Sequence, residues 1–171
     1  MIKLNTPITL EDIKKLKTGT KVLLSGTIYT ARDQAHARLI KEKNPQFKID
    51  GSVIYYVGPT PKRNNLPIGS SGPTSAYRMD SLAVPLMEKG LRLMIGKGNR
   101  SEAFRKEMIK NNSVYLITTG GTGALLSSKI KSSKVIMYED LGAEAIHELT
   151  VVDFPCFVAY DIYGNDIYRD K

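Results

Sequence analysis

Residues 21–30 read KVLLSGTIYT, a run rich in aliphatic, β-branched and aromatic side chains. Such a composition favours a β-strand. The residues that follow, ARDQAHARLIKE at 31–42, predict a helix over Arg32 to Glu42. A strand that leads directly into a helix is the repeating unit of α/β domains, so this segment predicts that fold class.

The same alternation of strand and helix patterns continues along the chain. Thr9 and Ser101 are suitable N-cap residues for two of the helices, and Gly90 ends another. Further strands are predicted at residues 53–57, 91–95, 114–118, 135–138, 151–160 and 167–168, and further helices at residues 10–17, 80–89, 102–110, 120–130 and 142–149. This order predicts a largely parallel sheet that ends in a hairpin turning at residues 163–166.

Length and composition indicate one globular domain over residues 1–171. Hydrophobic residues make up 42% and charged residues 25% of the 171 positions. No run approaches the roughly 18 apolar residues of a membrane span, and the first 17 residues lack the apolar core of a signal peptide, so the cytoplasm is the expected location. The single Cys156 excludes an internal disulfide and an iron–sulfur site made by this chain alone.

The formal net charge of +8 could serve nucleic acid, an acidic partner subunit or an anionic substrate. The lysines are scattered rather than blocked, and the nine tyrosines do not interleave with basic residues. A basic α/β nucleic-acid-binding module is the alternative that the charge suggests, and the scattered lysines and the lack of interleaving argue against it. A solvated lysine-rich surface explains the charge equally well.

The most informative motif is GPTSAYRMD at residues 72–80, which follows a Pro- and Gly-punctuated loop at residues 60–71. A plain turn needs its Gly and Pro but not Thr74, Arg78 and a later Lys97 between two glycines. Each has an ordinary explanation, such as an ion pair of Arg78 with Asp80 or a solvated lysine. Together with Arg32 they form a cationic set with one hydroxyl, suited to binding a dicarboxylate.

Arg32, Asp33 and His36 open the helix after the first predicted strand. Positions 32 and 36 share a helix face, so Arg32 and His36 can point at the same object. The alternative is that these residues only cap the helix. His147, the other histidine, is expected on a helix as a surface or partly buried residue, and the pair matches no zinc signature.

Residues 120–123 read GGTG at a strand-to-helix turn. The backbone N–H groups of such a turn can bind a phosphate or carboxylate at a helix N-terminus. The motif lacks both GxGxxG and the P-loop Lys-Ser/Thr, so a tight strand–helix junction is the simpler explanation.

These motifs, together with YYVGP at residues 55–59, EDLGAEAI at 139–146 and VDFP at 152–155, resemble the C-terminal domain, or β subunit, of class I iron–sulfur hydro-lyases. That family contains fumarate hydratase and L(+)-tartrate dehydratase. The resemblance covers nearly the whole chain. It implies a single swivelling β/β/α domain that works with a separate α subunit carrying a 4Fe–4S cluster, in a hetero-oligomer.

The resemblance also implies roles for individual residues. Arg32, Arg78 and Lys97 would hold the carboxylates of the substrate, with Ser75 beside them. Thr74 would move the carbon-bound proton, assisted by neighbouring cations, while Asp33 and His36 would orient the cationic side chains. The expected reaction is the hydration of fumarate to (S)-malate, with L(+)-tartrate dehydration as the close alternative. A catalytically silent assembly subunit is a third possibility.

Overall fold

The computed structural model describes residues 1–59, 73–118 and 126–169. These residues form a mixed α/β structure, as the alternating pattern predicts. The strands are β1 (Ile2–Asn5), β2 (Lys21–Thr30), β3 (Val53–Tyr55), β4 (Leu93–Gly96), β5 (Val114–Ile117), β6 (Ile130–Met137) and β7 (Ile146–Tyr160). The α-helices are α1 (Leu10–Lys15), α2 (Asp33–Lys41), α3 (Asp80–Glu88) and α4 (Glu102–Lys110).

Two helices begin at the N-cap residues that the sequence predicts, Thr9 and Ser101. The Thr9 hydroxyl accepts a hydrogen bond from the Asp12 N–H at 3.1 Å, and the Asp12 carboxylate accepts one from the Thr9 N–H at 3.0 Å. This capping box satisfies two backbone donors that the first turn of α1 leaves free. Ser101 caps α4 through a 3.1 Å bond from the Phe104 N–H. In the part of the chain described above, none of the helices is long and apolar enough to cross a membrane.

The strands form one sheet in the order β1-β2-β3-β4-β5-β7-β6. The first five are parallel to their neighbours, whereas β7 is antiparallel to β2, β5 and β6. The sheet is therefore mostly parallel, and the one reversed strand pairs with both β2 and β5. The pairings from β2 through β3, β4, β5 and β7 consequently return to β2 and close a ring.

Alternate residues of the central strands contribute to two separate hydrophobic cores. Tyr55 and Ile95 face one core with the inward side chains of β7, while Ile54 and Met94 face the other with the apolar sides of α2, α3 and α4. Strands that are buried on both faces read as continuous apolar runs. This is why residues 53–57 and 91–95 were recognisable as strands from composition alone.

The predicted helix at residues 142–149 is wrong. Gly142 has a φ of 61° and a ψ of −122°, which interrupts a short 3-10 segment over Glu139–Glu144. From Ile146 the chain continues as β7, where hydrogen bonds to β2 and β6 satisfy the backbone. His147 is therefore a half-buried strand residue, and its N–H donates to the Thr30 hydroxyl at 3.0 Å.

Three further elements differ from the predictions. The helix predicted at residues 120–130 does not extend to Ile130, because Ile130 begins β6. The glycine-rich start of that helix, at residues 120–123, lies outside the described residues, and so does the predicted loop at 60–71. Residues 167–168 form a turn rather than a strand, and the predicted hairpin is reduced to an isolated bridge between Tyr160 and Asp166. The short strand β1 was not predicted.

The alternation along β2 leads to a stability prediction. Leu24 is fully buried in the core shared with β7, whereas Leu23 is only partly buried. Leu24→Ala should lower the free energy of unfolding by about 2–5 kcal/mol because it leaves a cavity in a packed core. Leu23→Ala is the matched control and should cost clearly less, as measured by urea denaturation of the purified chain. Equal losses would contradict the orientation of β2 described here.

Candidate active site

The candidate residues from the sequence lie beyond the ends of three neighbouring strands. Arg32 and Asp33 follow β2, Tyr56 follows β3, and Lys97 follows β4. Because β2, β3 and β4 are parallel neighbours, their carboxyl ends meet at one edge of the sheet. In sheets of this kind ligands bind at that edge.

The segment that carries Thr74 is held against this edge by its backbone. The Thr74 N–H donates to the Tyr56 carbonyl at 2.8 Å, and the Thr74 hydroxyl donates to the same oxygen at 3.2 Å. The Lys97 N–H donates to the Thr74 carbonyl at 3.3 Å, and the Ala76 N–H donates to the Lys97 carbonyl at 3.0 Å. Ser75 thus forms a parallel bridge with Lys97. The backbone of Thr74 therefore has a fixed position relative to that of Lys97.

Gly96 allows this close approach. A Cβ atom at Gly96 would lie 2.8 Å from the Tyr56 ring and 2.9 Å from the Ala76 Cβ, both shorter than real contacts. The missing side chain lets the Thr74 segment pack directly onto the end of β4. The glycine before Lys97 thus has a packing role.

Arg78 and Asp33 connect the Thr74 segment to α2. The Arg78 guanidinium donates to the Asp33 carboxylate at 2.8 Å. The Arg78 side chain is about half exposed, so the pair by itself contributes little to stability. Its importance is geometric, because it directs the guanidinium of the Thr74 segment toward the start of α2. The ion pair considered between Arg78 and Asp80 is wrong, since Asp80 binds Arg100 instead.

Arg32 lies in an extended conformation immediately before α2. Its φ of −113° and ψ of −162° make it the N-cap rather than a helical residue. A Cβ on Gly58 would lie 3.1 Å from an Arg32 guanidinium nitrogen, so the glycine leaves room for this side chain. Arg32 Nε lies 4.0 Å from the Glu144 carboxylate and has no hydrogen-bond partner among the described residues. The Arg32 side chain is a quarter exposed and can donate to an arriving anion.

His36 is fully buried and contacts the backbone of Arg32. Its Nδ1 donates to the Arg32 carbonyl at 2.8 Å, and its ring lies 5.5 Å from the ring of Tyr56. The predicted common face of Arg32 and His36 is wrong, because Arg32 precedes the helix and only His36 follows helical spacing. His36 can fix the Arg32 backbone, but its ring is closed to solvent.

Burial lowers the pKa of His36 from 6.5 to about 4. The nearby Arg100 charge acts in the same direction, whereas the Arg32 carbonyl and Asp33 oppose it less strongly. A buried imidazole loses the hydration that its charged form requires. His36 is therefore neutral at pH 7, with the proton on Nδ1 and an Nε2 that lacks a partner among the described residues.

Three site-forming residues were missed by the sequence analysis. Tyr56 supplies the carbonyl that holds Thr74, Glu144 faces Arg32, and Arg100 lies buried behind Lys97. Tyr56 belongs to the predicted strand at residues 53–57 and to the YYVGP motif of the resemblance, but neither observation predicts a role for it at the site. For Arg100 no local signal exists, because a lone arginine before a helix N-cap is ordinarily a surface residue.

The residues of this chain do not fit an iron–sulfur cluster. Cys156 is its one cysteine, and it is buried within β7, where it pairs with Val22. Burial raises the pKa of the Cys156 thiol well above its usual range, which opposes the thiolate that a metal needs. Among the residues that the structure describes, no group of three His, Cys, Asp or Glu side chains could hold a metal ion.

The buried His36 predicts a pH dependence of stability. The unfolded chain takes up a proton near pH 6.5 and the folded chain only near pH 4, so the unfolded state binds more protons between these values. The free energy of unfolding should therefore fall as pH drops from 6.5 to 4, by on the order of 3 kcal/mol. Below pH 4 His36 should contribute no further loss.

His36→Asn is the control, because its side-chain amide can still donate to the Arg32 carbonyl. Urea denaturation at a series of pH values should show a clearly flatter profile for this variant between pH 4 and 6.5. Identical profiles for the two proteins, or a His36 proton signal that titrates near pH 6.5, would contradict the burial described here.

Comparison with known proteins finds the family that the sequence motifs resemble. A family model described as Fumarase C-terminus matches residues 1–171. The chain is 38% identical to Fumarate hydratase 1, mitochondrial, of Leishmania major, over 99% of this chain and 32% of that protein. It is 37% identical to Fumarate hydratase class I, aerobic, of Escherichia coli strain K12, over 98% of this chain and 32% of that protein.

A third relative is closer in length. The chain is 38% identical to the Putative L(+)-tartrate dehydratase subunit beta of Methanocaldococcus jannaschii, over 95% of this chain and 89% of that protein. By contrast, it spans about a third of the length of the fumarate hydratases that it matches. Since the family model covers all 171 residues, the chain belongs to the Fumarase C-terminus family.

Proposed function

We propose that this chain is the β subunit of a two-subunit hydro-lyase that catalyses the reversible hydration of fumarate to (S)-malate. The observation that carries the proposal is the pairing of Thr74 with Lys97 at the carboxyl ends of β3 and β4. It fixes the backbone of Thr74 relative to that of the exposed Lys97, and Arg78 follows four residues further along the same segment. In this role the chain acts as one swivelling β/β/α domain.

The cations of the site bind the two carboxylates of the substrate. Lys97 is exposed and makes no ion pair within the described residues, and a quarter of the Arg32 side chain is exposed. Arg78 binds Asp33 through one nitrogen, and its guanidinium makes no other hydrogen bond to the part of the chain that the structure describes. Charge-assisted hydrogen bonds from these groups, with Ser75 beside them, orient the dicarboxylate. Asp33 and His36 act indirectly, by holding the Arg78 side chain and the Arg32 backbone.

Thr74 moves the proton on the substrate carbon. Its hydroxyl donates to the Tyr56 carbonyl in the resting structure, and that contact opposes loss of the proton. Neighbouring positive charge lowers the pKa of an acid by stabilising its anion. The charges of Arg32, Arg78 and Lys97 therefore favour the alkoxide form of Thr74. His36 is a poorer candidate for the base because its ring is buried and closed to solvent.

The 4Fe–4S cluster implied by the resemblance is assigned to a separate α subunit. Cys156 is buried in the sheet and cannot supply a cluster with thiolates. The general acid and the activation of water belong to that partner, and the active form is a hetero-oligomer. A relative that this chain matches over 89% of its length carries the name Putative L(+)-tartrate dehydratase subunit beta, which supports a split enzyme.

Dehydration of L(+)-tartrate is the second candidate reaction. The specific observation in its favour is the 89% coverage of the Methanocaldococcus jannaschii protein, which carries that name. The two substrates share both carboxylates and differ in a hydroxyl group that the partner subunit can contact. Assays of the assembled complex with fumarate, malate and L(+)-tartrate separate the two reactions.

A substitution series tests the role of Thr74 in the assembled complex. Thr74→Ala should lower kcat by roughly 10²- to 10⁴-fold with little change in KM, because a proton-transfer group is lost from the transition state. Arg78→Met and Lys97→Met should instead mainly raise KM, by roughly 10- to 150-fold for a lost charge-assisted hydrogen bond. Steady-state kinetics give both constants.

Two further variants serve as controls for that series. Thr150→Ala removes an exposed hydroxyl on β7 and should leave both constants unchanged. His36→Asn should retain more activity than Thr74→Ala. Near-normal turnover by Thr74→Ala together with an inactive His36→Asn would assign the base to histidine and contradict the mechanism proposed here.

The division of labour between subunits gives another prediction. The purified 171-residue chain should be colourless, free of iron and inactive, because its one thiol is buried. Purified anaerobically with a cysteine-bearing partner, it should form a brown complex that hydrates fumarate. Iron analysis and absorption spectra of both samples provide the measurement. Stoichiometric iron and hydratase activity in the chain without a partner would rule out the split enzyme.

A further inference from the structure

Arg100 is a buried charge directly behind the candidate site. Its side chain has no solvent exposure, and its Nε donates to the Asp80 carboxylate. Another guanidinium nitrogen donates to the Tyr56 hydroxyl at 3.3 Å. The guanidinium also lies against the aromatic rings of Phe104 at 3.6 Å, Tyr115 at 4.8 Å and Tyr56 at 5.1 Å.

A buried ion pair is weak evidence for stability, because removing two charges from water costs about as much as their attraction returns. Apolar side chains of similar volume would fill the space between these rings at lower cost. One Arg100 nitrogen, Nη1, even lacks a hydrogen-bond partner among the described residues. A planar guanidinium binds a carboxylate and a phenol at set angles, so Arg100 fixes the orientation of these two groups relative to each other.

The groups that Arg100 contacts belong to the segments that carry the site. The carbonyl of Tyr56 is the acceptor for both the N–H and the hydroxyl of Thr74. Asp80 begins α3 two residues after Arg78, and its second oxygen accepts from the Ser101 N–H at 2.7 Å. Arg100 itself lies three residues after Lys97.

The backbone around Arg100 is fixed as well. The Arg100 N–H donates to the Tyr160 hydroxyl at 2.7 Å, and the Tyr115 hydroxyl donates to the Gly98 carbonyl at 2.8 Å. Strands β5 and β7 thereby hold the turn that follows Lys97. The other two segments also have backbone links, since the Tyr56 N–H donates to the Ile95 carbonyl at 2.8 Å and Asp80 accepts the Ser101 N–H. The guanidinium is the group that joins the side chains of Tyr56 and Asp80 to each other and to this turn.

We propose that Arg100 is a positioning residue that keeps Thr74 and Arg78 in register with Lys97 by tying Tyr56 and Asp80 to the turn after β4. Its significance for catalysis rests on the proposed function. The anchoring is a property of the chain by itself and can be measured without any activity. Arg100 touches no substrate and acts only through the residues that it aligns.

The test compares two matched double variants. Arg100→Met/Asp80→Asn removes the ion pair without leaving either charge buried alone, and the asparagine keeps an oxygen for the Ser101 N–H. Arg105→Met/Asp166→Asn is the control. Arg105 also lies on an aromatic ring and donates to an aspartate at 2.9 Å, and that aspartate also accepts a backbone N–H, from Tyr168. Within the described residues, neither member of this second pair hydrogen-bonds to Thr74, Arg78 or Lys97, although Arg105 lies on the Tyr160 ring.

Amide hydrogen exchange of the purified chain, followed by NMR, is the first readout. In the Arg100 double variant the N–H groups of Thr74, Ala76 and Lys97 should exchange at least about tenfold faster relative to the β2 amides. The control variant should leave these ratios unchanged. Arg100→Lys retains the charge but not the planar group, so it should accelerate the same three amides. If the double variant fails to fold, the exchange rates of Arg100→Lys alone decide whether Arg100 positions these segments.

Kinetics of the complex with its partner are the second readout. A misplaced Thr74 should lower kcat by roughly 10- to 100-fold while KM changes less than about threefold. Unchanged exchange at the three amides, acceleration spread evenly over the sheet, or full kcat in Arg100→Lys would each overturn the proposal. A wild-type complex inactive on all three acids would contradict the proposed function alone, and the exchange ratios would still decide whether Arg100 anchors the site.

Discussion

Parallel pairing of β2, β3 and β4 is the constraint on which the candidate site depends. Parallel neighbours end at the same edge of a sheet, so residues far apart in sequence emerge side by side. Arg32, Tyr56 and Lys97 come together for this reason alone. The Thr74 segment then adds to that edge through backbone hydrogen bonds, and the absence of a side chain at Gly96 permits the contact.

The charges of the site fall into two groups with different physical roles. Arg100 is buried and matched by Asp80, so its charge is fixed and largely compensated. Lys97 and Arg78 remain accessible to solvent, and Arg32 is partly accessible. Accessible cations can change partners when an anion arrives, whereas the buried pair cannot leave its position without a large cost in free energy. In the proposed function, anion binding therefore falls to Lys97, Arg78 and Arg32, and structural support to Arg100.

The errors of the sequence analysis have physical causes. Residues 142–149 contain alanine, glutamate and leucine, which are good helix formers, and local propensity therefore favoured a helix. Pairing of β7 with β2 and β6 overrides that preference, because the inward side chains of β7 complete a core that no local window reveals. The shared face of Arg32 and His36 failed for a smaller reason. One residue of displacement at a helix start places Arg32 outside the helical spacing.

The sequence by itself determined the α/β class and the capped starts of α1 and α4, and it supplied the candidate site residues of the GPTSAYRMD motif and Lys97. These features depend on local composition and on side-chain chemistry, both of which can be read from neighbouring residues. Only the tertiary structure decided that β7 closes the ring, that His36 is buried and neutral, and that Arg100 joins Tyr56 to Asp80. Burial and long-range pairing depend on which distant segments meet, and no local pattern in the chain encodes that.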